Sequence, residues 1–148
     1  MNRLLEKFGP SFAAAFAVVL MISSGCSTTA AEKSEGVKVK LTGDQEVPPV
    51  KTAASGNGSF VISSDKSVSG SITTSGVEGT AAHIHEGAAD KNGPVIIPLT
   101  KGENNTWSAP AGAKLTDAQY ASYLAGNLYV NVHSAANKGG EIRAQLKP

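Results

Sequence analysis

Val37, Val39 and Leu41 alternate with Lys38 and Lys40, the period of two that sends every other side chain to one face of a strand. Thr42 to Ala54 breaks that pattern with Pro48-Pro49 and predicts a stiff loop, because proline fixes φ and donates no ladder hydrogen bond. Gly58 to Ser63 and Val68 to Thr74 are β-prone runs joined by Ser64-Asp65-Lys66-Ser67, the composition of a hairpin turn. Ala81 to His85, Val95 to Leu99, the stretch around Trp107, Leu128 to His133 and Glu141 to Leu146 read as further short strands. Gly87 to Pro94 is a turn-rich loop between two of them. One segment has a helical signature, Thr116 to Ala125: Thr116 as N-cap, Gln119 three residues on to close a capping box, and Gly126 as the stop. Leu115, Tyr120 and Leu124 are the side chains expected to dock this helix. Seven or eight short strands with close turns predict an all-β fold, an antiparallel sandwich or barrel with one short helix.

Ahead of this domain the pattern changes twice. Arg3 and Lys7 precede an uncharged apolar run, Phe12 to Ile22, that ends in Ser23-Ser24-Gly25-Cys26. A basic start, a short apolar stretch and small residues before a cut site describe a secretory signal over residues 1–25, and the run is too short to span a bilayer. The position of the single cysteine resembles a bacterial lipoprotein signal, which implies that Cys26 becomes the lipid-bearing first residue. Ser27, where inner-membrane retention shows Asp, directs that resemblance to the outer membrane, facing periplasm or cell surface. Residues 26–36 then form the lipidated cysteine and a small, polar tether, and residues 37–148 form the domain.

Composition removes several function classes. The 148 residues carry 13 Lys+Arg against 12 Asp+Glu, and only 5% are aromatic. There is no basic field for nucleic acid and few rings for stacking on single strands. One cysteine excludes an internal disulfide and a cysteine-based zinc knuckle. No Gly-x-Ser-x-Gly elbow supports hydrolysis, and no glycine-rich turn opens a helix as a phosphate cradle would.

The candidate chemistry lies in the three histidines. His83 and His85 share one face of their strand, opposite Ile84. In the later strand Tyr129, Asn131 and His133 oppose Leu128, Val130 and Val132. If the aliphatic faces share the core, all three imidazoles project from the polar side. Were the two strands neighbours, the rings would converge on one metal ion. With Met1 and Met21 removed with the signal, no sulfur ligand remains, so an all-imidazole site suits Cu(II) or Zn(II). Glu86 and Asn131 are candidates for orienting ligands from behind. Arg143, on the polar face of the last strand, could draw an anion to the metal or pair with Glu141. The alternative is that the histidines only satisfy loops.

Four motifs occur in order: Leu41-Thr42-Gly43-Asp44-Gln45-Glu46-Val47-Pro48-Pro49-Val50; Ala82-His83-Ile84-His85-Glu86-Gly87 with Asn92-Gly93-Pro94-Val95; Leu128-Tyr129-Val130-Asn131-Val132-His133; and Gly139-Gly140-Glu141-Ile142-Arg143-Ala144-Gln145-Leu146. Together they resemble the CHRD domain, named after chordin, from about Val37 to Leu146. The resemblance implies a secreted, immunoglobulin-like or related β-sandwich and leaves its biochemical role open. His83, His85 and Glu86, with His133 and Arg143, are also similar to the His-x-His-Glu stretch, a later copper ligand and the anion-guiding arginine of copper/zinc superoxide dismutase. Three histidines cannot fill both metal sites of that enzyme, which speaks against dismutase turnover. The expectation is therefore a lipid-anchored sandwich holding one transition-metal ion, copper before zinc, without catalysis. The competing expectation is a non-enzymatic interaction or adhesion module with a protein partner.

Overall fold

A computed structural model describes residues 36–148; the signal, Cys26 and nearly all of the tether lie outside the described residues. The domain is built from nine antiparallel strands: β1 Val37–Thr42, β2 Ser55–Ile62, β3 Val68–Ser75, β4 Gly79–Glu86, β5 Val95–Pro98, β6 Thr100–Lys101, β7 Thr106–Ser108, β8 Leu128–Ser134 and β9 Ile142–Leu146. The helix α1, Asp117–Leu124, lies between β7 and β8. In space the strands run β5-β4-β8-β9-β1-β2-β3-β7-β6. The two ends of that order are one stretch of chain. β5 pairs with β4, Leu99 turns the chain, and β6 pairs with β7, so the sheet curls into a nearly closed, flattened barrel. Closure of this kind removes the unpaired edges that would otherwise template aggregation.

The alternation seen in the sequence decides what fills the interior. Leu41, Phe60, Ile72, Ile84, Leu128, Val130, Val132, Ile142 and Leu146 are fully buried in one core. The β2–β3 hairpin turns as its composition dictates: Lys66 adopts a positive φ of 69° and Asp65 accepts from the amide and hydroxyl of Ser67. At the helix, the Thr116 hydroxyl accepts from the Gln119 amide while the Gln119 side chain accepts from the Thr116 amide, closing the capping box.

Two expectations are corrected. Leu124 does not dock the helix: it is 57% exposed, and Tyr123, at 6%, is buried in its place beside Leu115. A helix one residue out of the anticipated phase rotates its buried stripe by about 100°. Nor is the outer face of β8 and β9 a solvent face. Tyr129, Asn131 and Arg143 are 1–2% exposed, because the 87–94 loop folds back over Tyr129 and Arg143 while Glu46 and Gly140 lie against Asn131. Gln145 donates to the Gly87 carbonyl, and Asn92 donates to the Val47 carbonyl, clipping that loop to the proline-bearing segment. The two-residue strand β6 has no alternating signal of its own and exists through its pairing with β7.

Candidate metal centre

β4 and β8 are hydrogen-bonded neighbours. Their register sets Ala81 opposite His133, His83 opposite Asn131 and His85 opposite Tyr129. The three imidazoles thereby meet on one face of two strands. One nitrogen from each lies within 4.8 Å of the others, and His83 and His133 approach to 3.0 Å. Ligands on one ion with bonds of about 2.0–2.1 Å in a tetrahedral array are separated by roughly 3.3 Å. Closing the widest gap thus takes a shift of about 1.5 Å, within the reach of χ1 and χ2 adjustments.

Backbone carbonyls set the tautomers of two rings. His133 Nδ1 lies 2.9 Å from the Lys138 carbonyl and His85 Nδ1 lies 2.9 Å from the Gly93 carbonyl. A carbonyl only accepts, so each Nδ1 carries the hydrogen and each neutral ring presents the Nε2 lone pair to the cluster. This is the outer-sphere arrangement that orients a metal-binding histidine. His83 then donates from Nδ1 to His133 Nε2. His85 Nε2 has no hydrogen-bond partner although it is buried. Burial first, then the neighbouring imidazoles, push His83 below its ordinary value of 6.5. Burial also outweighs the Gly93 carbonyl in lowering His85. Both rings are therefore neutral near pH 7, the form that metals require.

The surroundings hold the rings in place. His85 stacks on Tyr129 with ring centroids 4.7 Å apart and planes 4° from parallel. The Arg143 guanidinium lies 3.4 Å from the centroid of the same tyrosine ring, reaching it from β9 on the other side of β8. The Gly93 amide donates to the Tyr129 hydroxyl at 3.2 Å, so one glycine fixes both stacked rings. No side chain fits there: a Cβ on Gly93 would lie 1.7 Å from the Glu86 carbonyl oxygen.

The three remaining candidates take different places. Glu86 is on the opposite face of β4 from His85, and its carboxylate accepts from the Ser122 hydroxyl at 2.5 Å; it ties α1 to the sheet, and the Gly93 carbonyl orients the ring. Arg143 neither pairs with Glu141 nor reaches solvent. Its guanidinium donates to the carbonyls of Ala88 and Lys91 and to the side chains of Asn92 and Gln145, so it anchors the 87–94 loop. Glu141 accepts from the Thr52 hydroxyl at 2.8 Å. Asn131 sits between Glu46 and His85, and Glu46, present in the first of the four motifs, is given no role from the sequence. This glutamate is 3% exposed, and burial raises its pKa against the opposing pull of Arg143 and Asn131. A buried acid inside a Pro-Pro loop is a signal that could have found it.

Compared with known proteins, residues 37–146 match the CHRD domain family. No curated protein and no solved structure matches the chain.

Proposed function

The chain belongs to the CHRD domain family, and from that premise we propose that it binds one divalent transition-metal ion through His83, His85 and His133, copper before zinc, as capture or delivery and not turnover. The observation that carries this reading is the convergence of three imidazoles, two of them with Nδ1 held by a carbonyl and Nε2 left facing the cluster. A histidine cluster serving only its loops would have its lone pairs turned to donors, whereas His85 Nε2 is buried and makes no hydrogen bond to the protein, which leaves its lone pair free for a ligand. The donor set, nitrogen without sulfur, favours Cu(II) and Zn(II) over Cu(I). Copper/zinc dismutase-like turnover has less support, since Arg143 is committed to the 87–94 loop and offers no guide for an anion.

The N-terminal pattern supports a place for this activity outside the cytoplasm. A signal over residues 1–25 and a lipidated Cys26 give a domain tethered to the outer membrane, with metal exchange in the envelope. Calorimetric titration of metal-free protein with Cu(II) and Zn(II), beside His83→Ala, tests the reading. One-to-one binding tighter than micromolar that collapses in the variant supports it. No binding, or binding indifferent to His83, overturns it in favour of an interaction module with a protein partner.

A further inference from the structure

Asn131 borders the histidine cluster. It lies directly across from His83 in the β4–β8 register, and it precedes His133 by two residues on the same face of β8. Directly opposed residues have Cβ atoms about 4.5–5.5 Å apart, so its short side chain stands beside His83 on the face that carries the imidazoles. It is 2% exposed. Its Nδ2 is turned to Glu46 and Gly140, where both Nδ2 and Glu46 Oε1 come within 2.6 Å of the point a Gly140 Cβ would occupy. Oδ1 is thereby left on the His85 side.

Both Asn131 Oδ1 and His85 Nε2 are buried with no hydrogen-bond partner. The His85 nitrogen cannot serve the amide oxygen, because the Gly93 carbonyl has already fixed the hydrogen on Nδ1. Two buried acceptors on neighbouring side chains are thus left without a donor, each at the cost of its desolvation. A cation between them removes both deficits. We propose that Asn131 Oδ1 is a fourth metal donor, so that the centre is three imidazole nitrogens and one amide oxygen. The proposal rests on the three-histidine reading and extends it. It assigns a harder donor set than histidine alone, which favours divalent ions over Cu(I). It also gives a setting to the buried Glu46 carboxylate, whose Oε1 is likewise without a hydrogen-bond partner and which lies on the Nδ2 side of Asn131.

The test compares the purified protein with Asn131→Leu, Asn131→Ala and Asn131→Asp by Cu(II) titration and by azide binding to the Cu(II)-loaded forms. Asn131→Leu removes the oxygen at similar volume and is expected to weaken Cu(II) at least tenfold. In Asn131→Ala the shortened side chain leaves that position to water, so azide replaces the water and gives its charge-transfer absorption at lower concentration than in the parent. Asn131→Asp keeps an oxygen and is expected to bind Cu(II) at least as tightly as the parent, despite the neighbouring Glu46. The added negative charge of Asn131→Asp strengthens cation binding whether or not the oxygen coordinates, so the azide response decides between the roles: a residue that only packs leaves it equal to the parent in Asn131→Ala. Cu(II) affinity equal to the parent in Asn131→Leu and an azide response equal to the parent in Asn131→Ala overturn the proposal and leave the three-histidine site standing. Should Asn131→Leu fail to fold, Asn131→Ala decides by the same two readouts, an affinity and azide response equal to the parent overturning the proposal. Absence of binding in the parent overturns both readings together.

Discussion

Gly93 contacts no metal, yet substituting it tests the centre through the group that aims His85. In Gly93→Ala the new methyl would lie 1.7 Å from the Glu86 carbonyl oxygen, where side-chain carbons keep at least 3.0 Å. The loop or the strand must therefore yield by about 1.3 Å. Moved by that amount, the Gly93 carbonyl goes from 2.9 Å to about 4 Å from His85 Nδ1, beyond any hydrogen bond. The amide bond to the Tyr129 hydroxyl is lost with it. Two hydrogen bonds at about 1 kcal/mol each give a stability loss of about 2 kcal/mol. Freeing the orienting partner of a ligand costs about 10–100-fold in metal affinity. Urea unfolding of metal-free protein reads the first quantity and Cu(II) titration the second. Gly139→Ala is the control, because a Cβ there meets nothing within 4 Å. Affinity within twofold of the parent, alongside the stability loss, would refute the claim that this carbonyl aims the ring.

His133→Ala removes one ligand and the acceptor of His83, and is expected to abolish one-to-one binding while metal-free unfolding changes by about 1 kcal/mol or less, read by the same two assays. Arg143→Met leaves the carbonyls of Ala88 and Lys91 without their donor; it should cost about 2–4 kcal/mol in urea and weaken Cu(II) through the loosened 87–94 loop, with Arg143→Lys recovering little because it lacks the planar fork. The pH dependence has a definite sign. His83 and His85 titrate below 6.5 in the folded protein, chiefly through burial, so below 6.5 the unfolded chain takes up protons that the folded one does not. Metal-free stability should then fall as pH drops from 6.5 through the folded values, with a shallower fall in His85→Ala, measured as melting temperature. Thr116→Ala breaks the capping box and should cost about 1 kcal/mol with Cu(II) affinity unchanged; a change in affinity would show that α1 reaches the centre.

Local patterning was enough to locate the strands from Val37 to Leu146 other than the two-residue β6, the hairpin turn at Asp65-Lys66, the capped helix and the shared face of His83 and His85. Each of these follows from covalent geometry over a few residues: alternation in a strand, a capping oxygen three residues from its amide, a turn that tolerates positive φ. What the sequence could not contain is which strands touch. That β4 lies against β8, in a register placing Asn131 across from His83, is set by closure of the whole barrel, and it turns three scattered imidazoles into one cluster. Nor could alternation tell a solvent face from one roofed by a loop. Arg143 and Glu86 carry the same charges on paper as they do in the fold, but the 87–94 loop buries the first against Tyr129 and strand alternation sends the second to Ser122. The carbonyls of Gly93 and Lys138 leave no mark in side-chain chemistry at all. They belong to the backbone, and only the tertiary path of the chain brings them to the histidines they aim.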